Sequence, residues 1–339
     1  MPPAQLSSPP ATTIWPADFR RVPADDWVSS PIEDLAAKYD TVEQHGWYRN
    51  LDPTVAALLA ELAPGSILLD YSGGTGILAA RLLHALPELP FGILIADASP
   101  KFLRLALEKL GKEERVAFRL LHYLKAERRL ETVTEVLSAG LLARGVDTIT
   151  STNAIHLYYD LEETLTSWRQ VLKAGGRAFI QSGNIGLPRL PAGAWIIDAT
   201  VEAIHHAAVA RVESDVAFRP YRAVIRDPER LAAYTALRRK IFLPVRPLDF
   251  YLGALRAAGF NRLEVEHRSL DAAVDDWRDF LSAYHEGVLG WVGGVARIES
   301  REPPPEALVD RHSLLALAMN DVFAGRQSFQ AVWTYITAG

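Results

Sequence analysis

One stretch constrains the fold more than any other: an apolar run breaks into a glycine-rich turn and then resumes with helical spacing. Ile67 to Leu69 has the pattern of a buried parallel strand, residues 72–76 are Ser-Gly-Gly-Thr-Gly, and Ile77 to Leu83 carries apolar residues at helical intervals. Glycines let the backbone turn sharply and let a ligand approach main-chain N–H groups. Asp70 stands at the carboxyl end of the strand, where open α/β sheets bind their ligands. The stretch therefore predicts a nucleotide-binding unit.

A second carboxylate, Asp97, follows the next apolar strand, which begins at Phe91. An acid at the end of the second strand, roughly 20 residues beyond a glycine turn, typically holds the two hydroxyls of a ribose. A carboxylate suits this task because it accepts several hydrogen bonds at once. The alternative is that Asp97 caps the helix predicted from Pro100, although Ser99 suits that role better. We therefore favour ribose binding.

Three motifs in order resemble class I S-adenosylmethionine-dependent methyltransferases. They are Asp70-Tyr71-Ser72-Gly73-Gly74-Thr75-Gly76, then Ile95-Ala96-Asp97-Ala98-Ser99, and then the region from Thr148 to Asn184, which contains a Leu-Lys-Ala-Gly-Gly turn. The resemblance covers about residues 35–185 and the end of the chain, and it implies S-adenosylmethionine as the cofactor. The residues that it assigns to cofactor binding are Tyr39, Asp70, Ser72, Gly73, Gly74, Gly76, Asp97, Ala98 and Asn153.

The chain departs from the family pattern at two places. Ser72 stands where the family usually has a glycine. The third strand, Val116 to Leu120, continues into Leu121-His122-Tyr123 without the acid that the family usually carries near the adenine. How this chain recognises adenine therefore stays open.

The resemblance implies an α/β fold with a doubly wound, mostly parallel, seven-stranded Rossmann-like sheet. The last strand should be antiparallel, and helical insertions should form a substrate cover. We also predict a long helix over about Lys125 to Arg144. The predicted domains are a flexible N-terminal arm (1–30), an N-terminal helical lid (31–65), a cofactor-binding core (66–185), a helical substrate cover (186–246), and the C-terminal part of the core sheet (247–339) with a second insertion at about 271–327.

The fourth strand, Asp147 to Asn153, should end at the same sheet edge as the two acids. His156, just beyond it, could act as a general base, since an ordinary histidine titrates near neutral pH, or it could simply pack or line the site. His285 is the second candidate base. The candidate substrate contacts are aromatic residues: Trp47, Tyr48, Tyr158, Tyr159, Trp195 and Trp291. Packing of the N-terminal segment onto the core would explain Trp47 and Tyr48 equally well.

Composition narrows the partners of this chain. Its 339 residues carry a formal net charge of −5, whereas nucleic-acid binding needs a basic face, so we expect no nucleic-acid partner. The chain has no cysteine, which excludes disulfides and thiolate metal sites, and its histidine spacing suggests no other metal site. No apolar run reaches the roughly 18 residues that a membrane span needs. We therefore expect a cytoplasmic protein without a membrane partner, and a homodimer stays open.

These features predict an S-adenosylmethionine-dependent methyltransferase. Its acceptor should be a small, hydrophobic or aromatic metabolite, methylated on O, N or C and belonging to specialised metabolism. One alternative is a nicotinamide-dependent oxidoreductase, although the glycine spacing is not G-x-G-x-x-G and no Tyr-x-x-x-Lys follows the fourth strand. The other alternative is a non-catalytic protein that binds S-adenosylmethionine without turnover.

Overall fold

The structure is a computed structural model that describes residues 14–339. Seven strands of the described chain form the continuous path of the central sheet: β1 (Ile67–Tyr71), β2 (Gly92–Asp97), β3 (Val116–Leu120), β4 (Val146–Thr152), β5 (Leu172–Ser182), β6 (Leu263–Ala273) and β7 (Ser328–Ala338). Their order across the sheet is β6-β7-β5-β4-β1-β2-β3. A short eighth strand, Ala194–Trp195, pairs in parallel with β7 outside this path. Strands β1 to β5 run parallel, and β7 lies antiparallel to both β5 and β6. The predicted sheet is therefore confirmed.

Helices cover both faces of the parallel strands, as buried apolar strands of this kind require. The helices that pack on the sheet are Asp52–Glu61, Ile77–Ala85, Pro100–Leu110, Leu161–Val171 and Leu248–Ala257. The other long helices are Ala199–Ser214, Pro228–Ile241, Val274–Ala283 and Pro305–Val322. The short ones are Asp34–Asp40, Val133–Val136, Ala139–Arg144, Arg222–Ile225, His285–Leu289 and Ala296–Glu299. No helix of residues 14–339 has the length and apolar character that crossing a membrane requires.

The two insertions, one after β5 and one after β6, share a single apolar core. This cluster joins buried side chains of both insertions with Trp333 of β7 and Trp47 of the N-terminal segment. The Trp47 ring stacks on that of Trp333 with 6.0 Å between ring centroids, and it meets Trp277 edge to face. The insertions and the N-terminal segment therefore pack over one end of the sheet as one body.

The long helix predicted over 125–144 is not formed. A small hairpin of Tyr123–Leu124 and Arg129–Leu130 comes first, and two short helices follow it. Thr132 and Glu135 form a capping box at the start of the first short helix, and the Ser138 side chain caps the second. These polar caps each begin a new helix, which explains why the helical periodicity does not produce one continuous element.

The expected flexible arm lies partly outside the described residues, because the structure does not describe 1–13. Its remainder packs against the sheet edge rather than standing loose. Phe19 and Trp27 are buried, and the Arg119 guanidinium of β3 lies 4.0 Å from the centroid of the Phe19 ring. The buried aromatic side chains thus hold this proline-containing segment against the sheet, although its composition is typical of a loop.

Asp70 is fully buried beneath the glycine turn. A Cβ atom at Gly73 would lie 2.7 Å from Asp70 Oδ2, so the turn passes over the carboxylate only with glycine there. Neither carboxylate oxygen has a hydrogen-bond partner among the described residues. Burial, with the charge of Asp97 as a smaller cause, raises the pKa of Asp70 to about 7. The ionised carboxylate therefore opposes folding.

We expect Asp70→Asn to stabilise the protein in a pH-dependent way. The pKa of Asp70 is about 7 in the folded chain and 3.8 ordinarily. Between these two pH values the folded chain therefore keeps a proton on Asp70 that the unfolded chain has lost. The wild type therefore loses stability as pH rises from about 4 to about 7. At pH 8 the free energy of unfolding of the variant should exceed that of the wild type by about 2–4 kcal/mol, and at pH 4.5 the two should be close.

Urea unfolding at pH 4.5, 6 and 8 measures this difference. Glu264→Gln, which removes an exposed carboxylate from β6, is the control and should follow the wild-type pH dependence. An Asp70→Asn protein that is less stable than the wild type by the same amount at all three pH values would contradict the account.

Candidate functional site

The carboxyl ends of β1, β2 and β4 open into one crevice of about 790 Å³. Parallel strands present these ends on one sheet edge, which is why motifs distant in sequence meet here. The crevice is lined by six of the residues that the resemblance assigns to the cofactor: Tyr39, Ser72, Gly74, Asp97, Ala98 and Asn153. Two candidate substrate contacts, Tyr158 and Tyr159, line the same crevice.

Ser72, which stands where the family usually has a glycine, adopts a backbone conformation typical of glycine. Ser72 has φ 60°, in the left-handed region that glycine adopts at lower cost. Its hydroxyl oxygen accepts a hydrogen bond from the Tyr158 hydroxyl at 3.1 Å. The side chain is thereby fixed, and a strained residue at a binding turn is held in place by its neighbours.

Asp97 joins this turn to the end of β2. Its Oδ2 accepts a hydrogen bond from the Gly74 N–H at 2.9 Å, and its Oδ1 accepts one from the Ser99 N–H at 2.7 Å. Burial raises the pKa of this carboxyl, while the backbone hydrogen bonds oppose the shift. Each oxygen keeps a lone pair, and Asp97 lines the crevice, so the carboxylate fits the two hydroxyls of a ribose. Ser99 itself caps the following helix, accepting from Phe102 N–H.

Three of the residues assigned to the cofactor, Asp70, Gly73 and Gly76, are not among those that line the crevice. Asp70 lies beneath the turn and supports it from below. Gly76 faces the helix Pro100–Leu110, where a Cβ would lie 2.9 Å from Leu110 Cδ1. Gly73 lines a much smaller adjoining pocket together with Tyr48. Sequence motifs identify the turn but do not tell which of its residues face the ligand.

One end of the crevice is lined by the hairpin of Tyr123–Leu124 and Arg129–Leu130, which forms where the helical periodicity predicts a helix. Leu121, Tyr123 and Leu130 line it there, and Glu131 lies beside them. The Glu131 carboxylate accepts a hydrogen bond from the His122 N–H at 2.8 Å. An acid thus reaches the crevice from the second hairpin strand rather than directly after β3. The predicted helix over this region hid that signal.

A second space, which we call the chamber, adjoins the crevice. It has a volume of about 270 Å³ and shares with the crevice the lining residues Tyr39, Phe102, Asn153 and Leu157. Its wall is mainly aromatic and aliphatic: Trp47, Tyr48, Ile197, Ile241, Phe242, Trp277, Phe280, Tyr284 and Trp333. Its polar side chains besides Asn153 are His156, Asn184 and Asp198. The chamber is therefore suited to an apolar molecule with a polar end.

Asn153 stands where the two spaces meet. Its backbone takes a positive φ of 53°, and its Oδ1 accepts hydrogen bonds from Trp333 Nε1 at 3.0 Å and from Asn50 Nδ2 at 3.3 Å. The side chain is therefore tied both to β7 and to the N-terminal segment. This double attachment fixes the boundary between crevice and chamber.

His156 lies at the polar end of the chamber. Its Nδ1 is 2.9 Å from Ser182 Oγ, and its Nε2 is 3.7 Å from Asp198 Oδ2. Burial lowers the pKa of His156 to about 4, with the charge of Arg246 as a second cause, so the ring is neutral at pH 7. Burial also raises the pKa of Asp198 to about 7. A neutral imidazole in this position can accept a proton.

Three of the predicted site residues lie outside both spaces, which corrects their assignment. His285 Nδ1 is 2.7 Å from Nη1 of Arg311, a fully buried side chain that also donates to the Val292 carbonyl oxygen. Trp291 is buried with its Nε1 3.3 Å from His205 Nδ1, and Trp195 packs edge to face on Phe323. These aromatic and basic groups build the core of the insertions.

Within residues 14–339, no three His, Asp or Glu side chains form a group that could hold a metal ion.

Comparison with known proteins locates the same region. Residues 69–178 match a family model described as a methyltransferase domain. The highly reducing polyketide synthase Preu5 of Preussia isomera is 27% identical over 136 residues, which are 38% of this chain and 5% of the synthase. The hybrid PKS-NRPS synthetase apdA of Emericella nidulans is 30% identical over 114 residues, 33% of this chain and 3% of the synthetase. The chain therefore spans only a small part of these curated relatives.

Solved structures resemble the chain over most of its length. The YcgJ protein from Bacillus subtilis has a TM-score of 0.48 and 14% identity. The match covers 86% of this chain and 97% of the YcgJ chain. A SAM-dependent methyltransferase from Geobacter sulfurreducens, in complex with S-adenosyl-L-homocysteine, has a TM-score of 0.43 and 15% identity. The match covers 89% of this chain and 97% of the Geobacter chain.

The family match and the ordered motifs agree on one region of the chain. That region supplies the five parallel strands except the start of β1 and the end of β5, and its turns form the crevice wall. Residues 69–178 therefore match a methyltransferase domain, and their motifs resemble those of the class I S-adenosylmethionine-dependent enzymes.

Proposed function

We propose that this chain transfers a methyl group from S-adenosylmethionine to a small, hydrophobic or aromatic metabolite of specialised metabolism. The observation that carries the proposal is the adjoining pair of spaces, a crevice with Asp97 on its wall and an aromatic chamber next to it. The two synthases that match part of the chain are polyketide enzymes, which supports a role in specialised metabolism.

The crevice residues fit the proposed cofactor. The lone pairs left on Asp97 would accept the ribose hydroxyls, and the turn from Ser72 to Gly74 would approach the methionine part without bulky side chains. When bound, S-adenosylmethionine supplies a methyl carbon on a positively charged sulfur. The protein's own part is to align the acceptor and to exclude water.

The chamber would hold the acceptor, with His156 as the general base. Its aromatic wall favours a flat, apolar molecule, and its position beside Asn153 brings that molecule next to the crevice. A hydroxyl, amine or activated carbon at the polar end would give its proton to the neutral imidazole, most directly at Nε2. Ser182 holds the opposite ring nitrogen, which fixes the ring orientation.

The two alternatives make different demands on this site. A nicotinamide-dependent oxidoreductase would need a dinucleotide to fill the crevice, whereas the glycine turn lacks the G-x-G-x-x-G spacing. A non-catalytic binding protein would bind S-adenosylmethionine but would not need a base in the chamber. Cofactor titration tests the first alternative, and turnover tests the second.

We expect the protein to bind S-adenosylhomocysteine and Asp97→Asn to weaken that binding about 10- to 100-fold. The substitution removes the charge that strengthens hydrogen bonds to ribose hydroxyls, each such bond being worth about 1.5–3 kcal/mol. Isothermal titration calorimetry with S-adenosylhomocysteine, NADH and NADPH measures the affinities.

Glu264→Gln is the control for this titration and should bind as the wild type does. Near-ultraviolet circular dichroism checks that both variants keep the fold. Binding of NADH or NADPH with no binding of S-adenosylhomocysteine would contradict the proposal.

We expect His156→Gln to lower the methyl-transfer rate constant about 10²- to 10⁴-fold, the usual contribution of a general base. Affinity for S-adenosylhomocysteine should stay unchanged, because His156 lines the chamber and not the crevice. Transfer of a radiolabelled methyl group to a panel of phenols, naphthols, aromatic amines and β-keto esters measures the rate.

The matched control is His206→Gln, which changes an exposed histidine on the helix Ala199–Ser214 and should leave turnover unchanged. Equal turnover by His156→Gln and wild type would remove the proposed base. No turnover by the wild type across the panel, despite tight S-adenosylhomocysteine binding, would favour the non-catalytic alternative.

A further inference from the structure

The chamber contains a buried hydrogen-bond acceptor that has no partner among the described residues. Asn184 is 1% exposed and lines the chamber, and its Oδ1 receives no hydrogen bond. Its Nδ2 donates to the Leu243 carbonyl oxygen at 3.2 Å, and its backbone N–H donates to Ser182 Oγ at 3.0 Å. A buried carbonyl without a donor is costly, so this one indicates that a ligand supplies the donor.

The orientation of the Asn184 amide follows from its contacts. Leu243 offers a carbonyl oxygen, which can only accept, so the amide nitrogen must face it and the amide oxygen must face the other way. Asn184 is also held on its backbone side by Ser182. The unpaired oxygen is therefore a fixed feature of the chamber.

Ser182 Oγ links Asn184 and His156, at 3.0 Å from the Asn184 backbone N and 2.9 Å from His156 Nδ1, and both residues line the chamber. Asn184 Oδ1 needs a donor that stays in place. His156, as the proposed base, needs a second proton that can be removed. One hydroxyl cannot serve both, so the two groups together call for two donors on the same ligand.

The charges around the chamber favour a neutral ligand. Neither lysine nor arginine is among its described lining residues, so an anion would meet no counter-charge there. Asp198 is the acidic side chain among the lining residues of the chamber. The positive charge of Arg246, however, acts on His156 and lowers the pKa of the imidazole. This cationic neighbour disfavours a second cation, such as an ammonium group, at the polar end.

Size and wall chemistry narrow the ligand further. An apolar cavity of about 150 Å³ can take benzene, and the chamber, at about 270 Å³, has room for roughly two fused rings. Trp277 and Phe280 stack in its wall with 5.1 Å between centroids, which provides a flat aromatic surface.

Resting on the proposed function, we infer that the acceptor is a neutral two-ring aromatic compound with two hydroxyl groups. One hydroxyl donates to Asn184 Oδ1 and anchors the molecule, and the other lies beside His156 and Asp198. Asn184 is thus a specificity-determining residue that binds the acceptor without taking part in proton removal.

Calorimetric titration with naphthalenes tests this inference in the wild type, both with and without saturating S-adenosylhomocysteine. The probes are the dihydroxynaphthalene isomers, 2-naphthol, 2-methylnaphthalene and 2-naphthylmethylammonium. At least one dihydroxy isomer should bind about tenfold or more tighter than 2-methylnaphthalene, with 2-naphthol in between. Equal or tighter binding of 2-methylnaphthalene or of the ammonium compound would overturn the inference.

Asn184→Leu assigns the preference to this residue. The variant should lose about tenfold in the preference for the dihydroxy isomer while its affinity for 2-methylnaphthalene changes about twofold or less. Asn261→Leu, the same change at an exposed asparagine, should keep the wild-type preference. A folded Asn184→Leu protein with the full preference would overturn the inference. If this variant does not fold, the wild-type probe series still decides.

The outcomes separate this inference from the proposed function. Failure to bind S-adenosylhomocysteine refutes the proposed function, whatever the naphthalenes do. Binding of S-adenosylhomocysteine together with an absent hydroxyl preference refutes only the acceptor class.

Discussion

The hydrogen bond from the Gly74 N–H to the Asp97 carboxylate is the constraint on which the site depends. It ties the turn after β1 to the end of β2, and it holds one carboxylate oxygen of Asp97 in place at the crevice. The turn can lie close over the buried Asp70 carboxylate because Gly73 has no side chain. This edge of the sheet therefore carries Asp97 as a fixed hydrogen-bond acceptor beside the turn, and Asp70 as a buried acid without a hydrogen bond beneath the turn.

The chamber depends on elements that a minimal sheet would lack. Trp47 comes from the N-terminal segment, Trp277 from the second insertion and Trp333 from β7, and their rings contact one another. Asn153 connects this aromatic cluster to the crevice through its hydrogen bond from Trp333. A chamber built from three separate parts of the chain can change its shape and chemistry without altering the strands that form the crevice.

Sequence motifs and the family resemblance predicted the mostly parallel sheet with its antiparallel last strand and several residues of the crevice wall, because strand ends and glycine turns follow local chemistry. They did not predict that Asp70 is buried under the turn and does not line the crevice, which depends on how the turn lies over it. They missed Asn184 and Asp198, since a polar side chain after a strand gives no sign of its neighbours. They also assigned His285 to the site, although the buried Arg311 holds it in the core of the insertions. Tertiary packing decided all of these cases.

A crystal structure of the protein with bound S-adenosylhomocysteine tests the central claim most directly. The account predicts both ribose hydroxyls within about 3.2 Å of the Asp97 carboxylate oxygens, with the sulfur facing Asn153 and the chamber. An adenosine bound elsewhere, or an Asp97 side chain that contacts only Gly74 and Ser99, would contradict it.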